Sequence, residues 1–138
     1  MPSQGGKAVQ VTKGGGFYAE ESFDGKMVYY FKLGGQSQGL GLIWKVPREG
    51  GEETLVLDRE IQGGNWVLRP EGLYFSTFNG KKYTIEFLSF QVGKVTLIYQ
   101  EETPNGRYYL AISPDGQWFL YSDKQPSQSD LMLVENFR

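Results

Sequence analysis

Acidic residues are the first candidates for chemistry in this sequence. Glu20-Glu21, Glu52-Glu53 and Glu101-Glu102 are paired along the chain. Two carboxylates can hydrolyse a glycosidic bond only when they oppose each other across a sugar cleft, and nothing in these spacings sets that geometry. Histidine and cysteine are both absent. That removes zinc sites built on either residue, disulfides, and nucleophile–base pairs that depend on imidazole. A serine nucleophile would need a lysine partner, and no Ser-x-x-Lys motif stands out. The glycine runs Gly14-Gly15-Gly16 and Gly63-Gly64 invite a phosphate-loop reading. Such a loop opens a helix, however, and no helical pattern follows either run. No catalytic residue, metal ligand set or cofactor motif is assigned, and the expectation is a protein that is not an enzyme.

Aromatic residues remain. Tyr18, Trp66, Tyr108 and Tyr109 fall at the starts of short apolar segments, with Asn65 beside Trp66 and Glu20 and Glu21 close behind Tyr18. Such side chains could stack on a sugar or a peptide, or bind a cation. Packing between neighbouring elements is the competing reading.

The elements that position these residues come from a repeat. Ser22-Phe23-Asp24-Gly25, Arg69-Pro70-Glu71-Gly72 and Ser113-Pro114-Asp115-Gly116 have the form of tight hairpin turns, and their last glycines lie 47 and then 44 residues apart. An aromatic-rich strand follows each turn: Met27 to Phe31, Leu73 to Thr77, Trp118 to Ser122. Another strand precedes each: Phe17 to Glu21, Trp66 to Leu68, Tyr108 to Ile112. Third strands are expected at Leu42 to Val46, Tyr83 to Phe90 and Asp130 to Val134. Fourth strands are expected at Glu53 to Leu57 and Lys94 to Tyr99. Four antiparallel strands in about 45 residues make a β-propeller blade. A β-sandwich of short strands is the alternative all-β arrangement.

The repeat does not begin in frame. Gly5-Gly6 before Lys7 to Thr12 matches Gly50-Gly51 before Glu53 to Leu57, one period later. The opening strand is therefore read as the outermost strand of a blade whose inner three strands end the chain. The expected organisation is a single half-propeller over residues 1–138. Residues 1–13 form a donated strand, 14–58 the first blade, 59–102 the second, and 103–138 a third blade lacking its outer strand. Three blades do not close a ring. Two copies would give a six-bladed, two-fold ring, each donating its first strand to the other; a nine-bladed trimer is the other stoichiometry. Lys7, Val9 and Val11 of one copy would then meet Leu131, Leu133 and Phe137 of the other.

Ile112-Ser113-Pro114-Asp115-Gly116 with Trp118 to Ser122, and Ile43-Trp44-Lys45-Val46-Pro47 up to Gly50-Gly51, resemble the repeat of TolB-type, WD-repeat-like bacterial propellers. The resemblance covers nearly the whole chain. It implies a six-bladed ring and says little of function, since propellers host unrelated roles. The turns depart from the pattern at Phe23 and Glu71, and the Trp-Asp dipeptide of WD repeats is absent.

Formal net charge is −2, and the 14 basic residues are dispersed. This argues against nucleic acid and membrane surfaces as partners. No apolar run is long enough to span a bilayer as a helix, and Met1 to Gly6 lacks a signal-peptide layout. A soluble protein of the bacterial cytoplasm or periplasm is expected. Its function would be that of a self-assembling scaffold or interaction module that binds a small molecule or peptide at the channel mouth. The alternative is a sensor or accessory propeller from a larger regulator, peptidase or glycan-active enzyme.

Overall fold

The computed structural model describes residues 4–34, 39–125 and 128–135. Eleven strands appear among them: β1 (Phe17–Glu21), β2 (Met27–Leu33), β3 (Leu40–Pro47), β4 (Thr54–Gln62), β5 (Trp66–Arg69), β6 (Gly72–Phe78), β7 (Lys82–Ser89), β8 (Val95–Glu102), β9 (Arg107–Ile112), β10 (Trp118–Gln125) and β11 (Gln128–Glu135). They form three antiparallel sheets, in the orders β1-β2-β3-β4, β5-β6-β7-β8 and β11-β10-β9. Two sheets have the expected four strands and the third has three. The chain divides into two compact units, residues 1–59 and 60–138.

The repeated serines serve the turns. In the first turn the Gly25 N–H donates to the Ser22 carbonyl, while the Ser22 hydroxyl donates to Asp24 and accepts from the Met27 N–H. The Ser22 hydrogen bond, then the Lys26 N–H, holds the Asp24 carboxyl below its ordinary pKa. Ser113 and Asp115 repeat the arrangement, with Gly116 donating to Ser113 and Trp118 to the Ser113 hydroxyl. Gly25 and Gly116 have φ of 69° and 68°, the left-handed residue that closes such a turn. The second turn differs. Arg69 pairs directly with Gly72, leaving a two-residue loop of Pro70 and Glu71. Here arginine replaces serine, and its guanidinium reaches the carbonyls of Ile112 (2.8 Å) and Ser113 (3.3 Å).

In the unit of residues 60–138, Tyr83 and Ile85 of one sheet pack against Leu110, Ile112, Phe119 and Tyr121 of the other. Leu110 and Ile112 of β9 and Phe119 and Tyr121 of β10 point into this core at the two-residue strand spacing, which β9 breaks at Tyr108 and Tyr109. Tyr74 meets the Phe119 ring edge-on at 5.5 Å, and the Tyr83 and Tyr121 rings lie 5.4 Å apart. Burial pushes the Tyr83 hydroxyl up to about 12, so it stays neutral in the core. One charge enters beside this core. Arg107, 8 % exposed, pairs with Glu101 at 3.1 Å and with Asp123, and its guanidinium lies 5.5 Å from the Tyr121 ring centroid. Burial opposes the guanidinium charge, but Glu101 and Asp123 more than offset it and raise its pKa.

In the unit of residues 1–59, Tyr29, Tyr30, Phe31, Ile43, Val46 and Leu57 are buried. Lys7 to Thr12, expected as a strand, is in none within the single chain. The end strands of the first sheet, β1 and β4, do not take it up. Gly6, Lys7, Val9 and Val11 instead line a cleft of about 690 Å³ with Ala19, Glu20, Glu21, Val28, Arg48 and Glu49. Val9 remains 66 % exposed there, so the seating is loose.

Candidate functional site

Two features distinguish the first strand of each sheet. First, Tyr18 and Tyr109 are the described non-glycine residues with positive φ, at 49° and 58°. Each sits three residues before the last residue of its strand, at the equivalent place in β1 and β9, and each lies in a register irregularity. A tyrosine held in left-handed backbone costs about 1–2 kcal/mol. Both rings are nevertheless turned outward, 57 % and 69 % exposed. Second, the residue equivalent to them in β5's repeat is Asn65, which is 5 % exposed. Its side-chain amide donates to the Arg107 carbonyl (3.2 Å) and accepts from the Tyr109 N–H (2.8 Å). It thus stands in for a peptide group of a neighbouring strand and holds Tyr109 in its conformation.

The seven residues read as a channel mouth fall into different settings. Tyr108, 37 % exposed, and Tyr109 present an aromatic pair beside Gly64, and a Cβ on that glycine would lie 3.4 Å from the Tyr109 ring. Trp66 is 4 % exposed and is a packing residue, because β5 points it inward with Leu68. Asn65 is buried and structural in the sense just described. Tyr18 has its ring edge-on to Phe31 at 6.2 Å. Glu21 forms an exposed pair with Arg48 at 3.4 Å, and Glu20 pairs across the sheet with Tyr29. Among the described residues no group of three or more acids is gathered to hold a metal ion.

The residues assigned to oligomer closure are placed as follows. Phe137 lies outside the described residues. Leu131 and Leu133 lie on β11, the end strand of its sheet, and are 72 % and 58 % exposed. The register aligns Leu133 with Leu120 and Ala111, and Leu131 with Ser122 and Tyr108. The face of this sheet opposite the Phe119 core is therefore an apolar surface, and among the described residues β11 has β10 as its one strand neighbour.

Lys13 and Lys32 escaped the sequence reading, and Glu53 entered it only as the neighbour of Glu52 and the first residue of an expected strand. The Glu53 carboxylate accepts from the Lys13 N–H (2.7 Å) and from the Lys32 ammonium (2.8 Å). Lys32's hydrogen bond, then Lys13's, draws the carboxyl down to about 2. Its folded value lies below the ordinary 4.5, so this contribution to stability is complete above about pH 4.5 and is lost as pH falls toward 2. No spacing rule links positions 13, 32 and 53, which meet only once the sheet forms.

No protein-family model and no curated protein matches this sequence. Among solved structures, the chain is similar to a prolyl endopeptidase, an enzyme with a β-propeller domain, at a TM-score of 0.52 and 18 % identity, over 88 % of this chain and 22 % of that one. At that identity the likeness concerns fold alone. Together with the four-stranded antiparallel sheets, it defines an all-β, propeller-like fold. No described helix is long and apolar enough to cross a membrane.

Proposed function

We propose that this chain is a non-enzymatic interaction scaffold of the TolB type that completes a six-bladed ring with a second copy of itself. The observation that carries the reading is the three-stranded sheet: β11 ends it with Leu131 and Leu133 exposed, where each companion sheet has a fourth strand. Within the same chain, Lys7 to Thr12 alternates as a strand would and lacks a strand partner. Supplying one to the other satisfies the backbone groups of both. The outer face of the third sheet would then be buried against the second copy's first blade. Absence of histidine and cysteine supports a role without catalysis. The exposed, backbone-constrained tyrosines, Tyr109 with Tyr108 on one inner strand and Tyr18 near Glu20 and Glu21 on another, are the surfaces offered to a small-molecule or peptide ligand.

A second reading is favoured by the likeness to a peptidase of which this chain spans about a fifth. In it the chain is an accessory propeller, and further blades rather than a second copy cover the third sheet. Native mass of the 138-residue chain separates the two. The ring predicts a species of twice the 15.6 kDa of one chain, reduced to monomer or aggregate when residues 1–12 are removed. A well-folded monomer, or a dimer indifferent to that removal, contradicts the ring.

A further inference from the structure

Both backbone polar groups of Lys13 are held by one ion pair. Its N–H donates to Glu53, its carbonyl accepts from the Lys32 ammonium at 3.0 Å, and Lys32 and Glu53 are themselves 2.8 Å apart. The pair is largely shielded, with side chains 25 % and 17 % exposed, and the ammonium lies 5.3 Å from the Trp44 ring centroid. A single residue held at both its N–H and its C=O is what a neighbouring strand ordinarily provides. Here two side chains provide it, one from β2 and one from the residue preceding β4. Val11 and Thr12, just before the held position, are half-buried. Lys7 to Gln10 are exposed upstream, and Gly14 and Gly15, with φ of 76° and 92°, follow downstream.

We infer that the Glu53–Lys32 pair is a root clamp: it fixes where the segment 7–12 leaves the first sheet and so presents that segment to the β11 edge of a second copy. The inference rests on the ring reading above and adds the residues that make strand donation efficient. Six extended residues span about 20 Å, enough to pair with most of β11, whose eight residues span about 27 Å. With the root held at Lys13, the segment searches a small volume about that point. Without the clamp the root moves back through three consecutive glycines, and the effective concentration of the segment at the acceptor edge falls. Glu53 and Lys32 are positioning residues and touch neither β11 nor any ligand.

The test compares the dimer dissociation constant, by sedimentation or mass photometry, of the wild-type chain with Glu53→Gln, Lys32→Met, the two combined, and Lys32→Arg. Each disabling variant is expected to weaken the dimer about tenfold, and the double variant no more than either, because both break one clamp. Lys32→Arg keeps the charge and is expected to stay within about threefold of wild type, which also covers the case of a disabling variant that fails to fold. Urea midpoints above pH 5 report whether the sheets themselves were damaged. A dimer constant within twofold of wild type for either disabling variant overturns the clamp while leaving the ring standing. A monomeric wild-type chain overturns the ring and the clamp with it.

Discussion

Arg107→Met is expected to destabilise residues 60–138 by about 3–5 kcal/mol, the range for removing one partner of a buried, hydrogen-bonded charge group. Arg107 is the shared cation for Glu101 on β8 and Asp123 on β10, and it lies beside the Tyr121 ring. Methionine fills much of the volume but leaves two carboxylates facing each other next to an apolar core. The Tyr121 hydroxyl, whose pKa burial and then the Glu101 charge push up, is kept neutral and donates to Glu101 at 3.4 Å. Without Arg107 the Glu101 carboxylate keeps that weak bond but loses its cation. Urea unfolding followed by tryptophan fluorescence should show the midpoint fall by more than about 1 M, given the usual slope for a domain of this size. Adding Glu101→Gln and Asp123→Asn should recover part of the loss, since neutral amides do not repel. A loss below about 1 kcal/mol would show that the network is solvent-screened and not structural.

Gly72→Ala is the second large effect. An added Cβ there would lie 2.1 Å from the Leu88 carbonyl oxygen and 2.6 Å from two carbons of the Phe87 ring. Neither obstacle can withdraw cheaply. Leu88 is a member of the β6–β7 ladder, and the Phe87 ring is tilted against Tyr74 at 4.6 Å. The strand pair must separate or the two-residue turn must reopen. A loss at or above the upper end of the usual overpacking range, about 1–3 kcal/mol, is expected in the same urea experiment. Gly80→Ala is the control. Its Cβ would meet open space, so only the strain of a left-handed alanine, about 1–2 kcal/mol, applies. Equal losses at the two positions would show that the strands give way around the added methyl and that crowding at Gly72 costs little.

Much of the fold was legible because its punctuation is chemical. Ser-x-Asp-Gly specifies a hydroxyl, a carboxylate and a left-handed glycine, and the first and third hairpins use all three as read. Where the chemistry changed, the reading blurred. Arg69-Pro70-Glu71-Gly72 resembles its counterparts in letters, yet it forms a shorter loop whose glycine answers to crowding rather than to φ. β4 runs on to Gln62, well past Leu57, because Asp58, Arg59 and Glu60 are exposed strand residues that carry no apolar signal. Lys7 to Thr12 has strand-like alternation but no strand, since alternation states a preference that only a partner edge can satisfy.

The candidate site was less legible still. Tyr109 could be picked out as an aromatic near a strand start. Its left-handed backbone and the amide clamp from Asn65 depend on residues 44 positions apart meeting across two sheets. Trp66 was grouped with the tyrosines by position, and only burial separates it from them. The Glu53–Lys32–Lys13 clamp and the Arg107 network leave no trace in spacing, because each joins strands whose registry is set by the apolar residues around them.

The account rests on a second copy filling the edge of β11, and the cysteine-free chain permits a direct test. One preparation carries Val9→Cys and another Leu133→Cys, with Val11→Cys and Leu131→Cys as register alternatives. The preparations are mixed, allowed to exchange and oxidised gently, and the products are resolved by non-reducing electrophoresis and mass spectrometry. Strand donation predicts a disulfide joining one chain of each kind in at least one register, at twice the mass of a single chain and well above the yield from either preparation alone. Mixed pairs no more abundant than random collision gives, in every register, would contradict it.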